Sequence, residues 1–196
     1  EYPYGAYRKN YYRLTTSAGA VFLGQPMYWD ANGQAIPALT GTGTTINRIL
    51  GPVVGFADDA TFGVNAAGGN LPQSMLDLTK GASLPANTNA WVLIADDPDQ
   101  MFSIQANTDA TMTTANLADQ CSFTFRSTSG NTTTGYSTAE ASVLSMSATA
   151  SGNLQVVGLI PLRNSDGTIN SVGNYAKLRV RIVQHAFNGA PQGAGI

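Results

Sequence analysis

The amino-acid sequence predicts an all-β protein, a single-domain jelly-roll-like sandwich or β-barrel with an extended N-terminal arm. Three observations lead there. From Leu14 onward the chain runs in short apolar stretches rich in β-branched and aromatic residues, separated by Gly, Pro, Asn and Asp. The stretches number about nine, at the spacing of a sandwich or barrel, and apolar residues at helical spacing are scarce. The third is size: 196 residues with 43% hydrophobic content suffice for one core and fall short of two independent ones.

Residues 1–13 stand apart as an arm. Tyr2, Tyr4, Tyr7, Tyr11 and Tyr12 are interleaved there with Arg8, Lys9 and Arg13, in no pattern that gives the segment one face to bury. The competing reading has Tyr11, Tyr12 and Leu14 begin the first strand. The domain is assigned to residues 14–187, and residues 188–196 to an irregular C-terminal tail low in core-forming side chains.

Within the domain, Met27-Tyr28-Trp29 and Gln34-Ala35-Ile36 flank Asp30-Ala31-Asn32-Gly33, whose Asn-Gly step supplies the positive backbone angles of a tight hairpin. Ile46 to Phe56 is largely apolar but contains Gly51, Pro52 and Gly55, so a strand there is bulged, interrupted or at an edge. Ala57 to Asn89 reads as a long excursion in which only Gln73 to Leu78 suits a helical turn. Trp91 to Ala95 and Met101 to Gln105 are joined by Asp96-Asp97-Pro98-Asp99-Gln100 as a second hairpin. Asp109 to Asp119 is expected as a short helix capped by Asp109, Cys121 to Arg126 as a half-buried strand and Ser127 to Ser137 as a polar loop. Val143 to Met146, Leu154 to Ile160 and Lys177 to Phe187 complete the strands, with Asn164-Ser165-Asp166-Gly167 turning the chain between the last two. The last strand has the clearest period: Leu178, Val180 and Ile182 share one face, and Lys177, Arg179 and Arg181 the other.

Only 11% of residues are charged, against roughly 25% in an ordinary soluble domain, so Thr, Ser, Asn, Gln and Gly must cover the surface. Such a surface repels its neighbours weakly and suits a protein packed against others. A net charge of −2 offers no general attraction for phosphates, and no apolar run approaches the ~20 residues that cross a bilayer. Neither nucleic acid nor membrane is an expected partner, and nothing near Glu1 addresses the chain to secretion.

The residues that carry chemistry are few. One cysteine, Cys121, excludes an intramolecular disulfide, and with one histidine, His185, it excludes the usual Cys/His zinc sets. No Gly-x-Ser-x-Gly turn, phosphate loop or His-Glu-x-x-His helix is present, so no enzymatic activity and no cofactor are expected. Asp96, Asp97 and Asp99 could hold Ca²⁺, but Asp before a Pro-fixed bend more simply caps backbone amides. Charge is segregated along the chain. Gly81 to Phe125 holds five Asp and no Lys or Arg, while positive charge gathers at Arg8, Lys9 and Arg13 and at Lys177, Arg179 and Arg181. An acidic face on one copy meeting a basic face on another copy or partner would set register.

The run Trp91-Val92-Leu93-Ile94-Ala95-Asp96-Asp97-Pro98-Asp99-Gln100-Met101-Phe102-Ser103-Ile104-Gln105 resembles a segment of the head decoration, or cement, proteins of tailed bacteriophages. The surrounding order is similar to that group as well. It runs from an Asp-x-Asn-Gly turn ending in Ile36-Pro37-Ala38, through Ile49-Leu50-Gly51-Pro52-Val53-Val54-Gly55-Phe56-Ala57, to a closing Leu178-Arg179-Val180-Arg181-Ile182-Val183, so the likeness covers residues 20–187. The resemblance implies a jelly-roll-like or related barrel made in the host cytoplasm and bound to the outer surface of the mature capsid. There it bridges major capsid proteins against internal DNA pressure, as a homo-oligomer without cofactor or reaction. It supplies no residue-level binding motif, so contacts are inferred from chemistry. The candidates are Tyr2, Tyr4, Tyr7, Arg8, Lys9, Tyr11, Tyr12 and Arg13 of the arm, Lys177, Arg179 and Arg181 of the last strand, and Asp96, Asp97 and Asp99. The alternatives are a virion carbohydrate- or receptor-binding module using Tyr28 and Trp29, and a hydrolase with an acidic site.

Overall fold

The computed structural model describes residues 8–15, 18–30, 32–38, 48–58, 83–87, 90–148, 152–163 and 167–187. Within them the chain is nearly all β and holds no α-helix. In chain order the strands are β1 (Lys9–Arg13), β2 (Val21–Phe22), β3 (Pro26–Trp29), β4 (Ala35–Pro37), β5 (Ile49–Asp58), β6 (Ser83–Leu84), β7 (Ala90–Ala95), β8 (Met101–Ala106), β9 (Gln120–Cys121), β10 (Phe123–Gly130), β11 (Ser137–Ala141), β12 (Leu154–Leu159) and β13 (Lys177–Ile182).

A five-stranded antiparallel sheet has the order β1-β7-β5-β3-β4. It curls in half-barrel fashion until its edge strands meet at a Leu14–Ala35 bridge, where the Thr15 N–H donates to the Ala35 carbonyl at 3.1 Å. Leu14, Met27, Leu50, Val53, Val92 and Ile94 form its core, with Val21 and Leu84 from the β2-β6 ribbon. A six-stranded sheet has the order β10-β11-β8-β13-β12-β9, in which only β11 and β8 run parallel. Its inner face packs Phe123, Phe125, Leu154, Val156, Leu178, Val180 and Ile182 together with Ala38 and Ile49 from the first sheet's strands and connections. Successive residues of β5 therefore serve both cores, Ile49 the second and Leu50 the first, as the two-residue period of a strand requires.

The irregularity expected of β5 is present. Its register slips between Val53 and Gly55 against β7, and β3 slips against it between Met27 and Tyr28. Gly51 adopts φ +149°, and a Cβ there would lie 1.9 Å from the Ala95 carbonyl oxygen, so the approach of β5 to the end of β7 requires glycine. The Asp30 turn also forms, with the Asp30 carboxylate accepting the N–H groups of Asn32 and Gln34, both at 2.8 Å.

Other expectations are corrected. β7 and β8 are not a hairpin: Asp96 to Gln100 carries the chain from one sheet into the other, because β7 is apolar on both faces and is already paired by β1 and β5. Arg8 to Arg13 do not belong to a detached arm, since β1 pairs residue for residue with β7, from Lys9–Ala95 to Arg13–Trp91. Tyr11 and Tyr12, adjacent and therefore on opposite faces of β1, are each half-buried, which gives the strand no apolar period. Asp109 to Asp119 holds only a single 3-10 turn, Thr114–Asn116, and Asp109 instead accepts from the Ser142 hydroxyl and the Leu144 N–H. β10 and β11 take up Ser127 to Gly130 and Ser137 of the expected polar loop and leave 131–136 to connect them, while Val143 to Met146 is a turn closed by the Met146 N–H on the Val143 carbonyl. The expected helical turn at Gln73 to Leu78, Asn164 to Asp166 and the tail from residue 188 lie outside the described residues.

Candidate functional site

The period of β13 holds in three dimensions. Leu178, Val180 and Ile182 are buried, which turns Lys177, Arg179 and Arg181 onto the outer face of the six-stranded sheet. Strand registers bring further residues to that face: Gln105 stands beside both Lys177 and Glu140, Met101 beside Arg181, and Gln155 beside Arg181 from the other flank. A polar ladder crosses four strands. The Lys177 ammonium donates to Gln105 Oε1, Gln105 Nε2 donates to Glu140 Oε1 at 3.0 Å, and Arg126 donates to the same carboxylate oxygen through Nε at 3.0 Å and through Nη2. Arg181 Nε donates to Gln155 Oε1 at 2.7 Å. Glu140 is only 6% exposed, and its hydrogen bonds and charge hold the Arg126 guanidinium above its usual pKa. Arg126 also lies over the half-exposed ring of Tyr175, 5.4 Å from its centroid.

The other predicted contact residues divide. Arg8 and Asp96, assigned to opposite sides of an interface between molecules, meet inside one chain: Arg8 Nε donates to Asp96 Oδ1 at 3.1 Å and Nη2 to the Asp96 carbonyl at 2.8 Å. Asn10 Nδ2 donates to Asp96 Oδ2 at 2.8 Å, and the Tyr12 hydroxyl donates to the same oxygen. Burial alone would raise the Asp96 pKa, but these three donors and the Arg8 charge outweigh it and hold the carboxyl below its ordinary value. Tyr12 is pushed well up, by burial first and then by Asp96. The Arg8 guanidinium also sits 4.5 Å from the centroid of the Phe187 ring, and Trp29 makes edge contacts with both Phe187 and Tyr12. Segments near the start and the end of the described chain are thus clasped together. Trp29 meets those two rings and keeps 38% of its surface exposed.

Asp97 caps its own turn, accepting the Asp99 N–H at 3.0 Å, as a Pro-fixed bend predicts. Lys9 and Arg13 are exposed on β1, Tyr11 is half-buried beside them, and Tyr2, Tyr4 and Tyr7 lie outside the described residues. His185 is fully buried, bridges to Ile49, and accepts the Phe187 N–H on Nδ1 at 3.1 Å. Cys121 is buried, and burial followed by the charge of Asp119 pushes its thiol up to about 12, far from a reactive thiolate. Among the described residues no group of three His, Cys, Asp or Glu is placed to hold a metal ion, and no helix is long and apolar enough to cross a membrane.

Sequence reasoning missed Gln105, Arg126, Glu140 and Tyr175. Arg126 closes the alternation of Cys121-Ser122-Phe123-Thr124-Phe125 and Gln105 that of Met101 to Gln105, so period two alone puts each on an outer face. Which strands stand side by side is not written in a period. The chain matches no protein-family model and no curated protein.

Proposed function

We propose that this chain is a structural virion protein of the head decoration type, which binds the outer surface of a tailed-phage capsid, bridges major capsid proteins and catalyses no reaction. The observation that carries the reading is the outer face of the six-stranded sheet, a broad platform cross-braced from β10 to β13 by the Arg126–Glu140–Gln105–Lys177 ladder. Bridging against outward pressure calls for a docking surface that does not deform, and hydrogen-bonded side chains on a sheet lose little further entropy on contact. The likeness of the segment from Trp91 to Gln105 to decoration proteins supports the same reading, which extends to a jelly-roll-like architecture, a homo-oligomeric state on the particle and contacts from Tyr2, Tyr4 and Tyr7. Both groups best suited to acid-base or nucleophilic work, His185 and Cys121, are sealed in the core.

The test is to mix purified protein with undecorated heads and locate added density by electron microscopy. Density at a repeating position on the outer capsid surface, with the β13 face against the shell, is the expected result. Heads that stay bare at micromolar protein would defeat the proposal.

A further inference from the structure

We infer that the outer face of β13 and its neighbours docks a carboxylate-bearing surface of a different protein. The inference deepens the reading above and rests on it only for the identity of that protein. Among the described residues, Arg126, Lys177, Arg179 and Arg181 share this face with one carboxylate, Glu140, a formal charge of +3. That leaves six Lys or Arg against eleven Asp or Glu for the rest of the chain, a formal −5. A small positive patch inside a negative molecule selects for partners of its own dimensions. Polyanions such as nucleic acid extend past the patch and meet repulsion, whereas a patch of carboxylates on a folded protein does not.

The geometry supports this chemistry. Lys177, Arg179 and Arg181 project at intervals of about 7 Å along β13, from the strand rise of two residues per step, and so fit carboxylates spaced on a strand or helix face. Exposed apolar side chains flank the cations, with Met101, 51% exposed, beside Arg181 at one end. At the other end a mixed cleft of about 570 Å³, lined by Arg163, Asn170 and Asn174 as well as Leu162, Val172 and Tyr175, opens beside Lys177. Arginine, tyrosine and methionine around a charged centre are what protein interfaces enrich. A second copy of this chain is the weaker fit, because among the described residues Asp30, Asp96, Asp97, Asp109, Asp119 and Glu140 already accept hydrogen bonds within their own molecule.

The experiment compares the intact chain with Arg179→Gln/Arg181→Gln and with a charge-matched control at two cations that are not among the candidate contacts, Arg48→Gln/Lys80→Gln, after checking that all three melt alike. Each is titrated against undecorated heads and, independently, against an alternating Glu-Thr peptide and duplex DNA, at low and moderate salt, with mass measured by light scattering. The inference expects the face variant to bind heads and peptide about tenfold or more weaker and with less salt dependence, while the control binds as the intact chain does. Equal weakening of both variants, or none, overturns it while leaving decoration itself intact. Failure to bind heads removes the decoration reading, and the peptide comparison then decides the face alone. DNA bound as tightly as the peptide, or face-dependent self-association, replaces the acidic protein partner and overturns the inference.

Discussion

Asp96 is the residue on which most of the N-terminal contacts converge. Its carboxylate is fully buried, while Arg8, its only charged partner among the described residues, is 45% exposed, so the pair is screened on one side. Asp96→Asn should therefore cost about 2–3 kcal/mol, less than breaking a wholly buried pair, and Tyr12→Phe about 1 kcal/mol, both read from urea midpoints. Because its folded pKa lies below the ordinary 3.8, this contribution is present in full above that value and is lost as pH falls through the lower folded one. His185 acts in a different window. Burial is the largest influence and lowers its pKa from 6.5, with Arg8 acting the same way and Asp96, Asp97 and the Leu50 backbone opposing. Below pH 6.5 the unfolded chain takes up a proton that the folded chain refuses, so stability declines as pH drops from there toward the folded pKa. Protonation of Nδ1 would also break its bond from the Phe187 N–H. His185→Gln should flatten the decline of stability that begins below pH 6.5. A profile with the same slope in both proteins would refute the assignment.

At the scale of elements, a strand announces itself when one face is wet and the other dry. β13 does so, and Val180, 1% exposed, is the sensitive position: Val180→Asp should cost about 3 kcal/mol or more by burying an unpaired charge, while Arg179→Asp should change the melting temperature little. Equal damage from both would refute the register. β5 could be recognised as irregular from Gly51, Pro52 and Gly55, and Gly51→Ala should prevent the close approach to Ala95, with a loss of several degrees in melting temperature. What stayed hidden has physical reasons. β7 is dry on both faces, so its run of Trp91 to Ala95 could not say whether β8 pairs with it or leaves for another sheet. β11 is Ser-Thr-Ala-Glu-Ala, too polar and small to stand out, although its Glu140 anchors the ladder. β1 hid its role behind Arg8 and Asn10, whose hydrogen-bond partner, Asp96, stands 86 to 88 residues away. The candidate face was half legible for the same reason: its β13 row follows from period two, and its neighbours follow from pairings that no local pattern specifies.

For the whole molecule, the segment that the sequence marks as an arm is part of the fold from Arg8 onward. β1 covers the free edge of β7 with five aligned residue pairs, and Leu14 just beyond it closes the curled sheet against Ala35. Deleting residues 1–13 removes the strand and leaves the buried Asp96 carboxylate without Arg8, Asn10 or Tyr12, the situation in which a buried charge is most damaging. That truncation should lower the melting temperature by more than about 10 °C or abolish cooperative unfolding. Deleting residues 1–7 keeps β1 and the contacts of Arg8, Asn10 and Tyr12 with Asp96, and so separates their loss from that of the segment before them. The two causes of damage are separable: adding Asp96→Asn to the longer deletion removes the orphaned charge but not the lost strand. It should recover part of the stability, although the same substitution destabilises the intact chain. A reversal of sign between those two backgrounds would identify the Arg8–Asp96 clasp as the link between the start of the domain and its centre. If the longer truncation melts as the intact protein does, β1 is dispensable and the clasp contributes nothing.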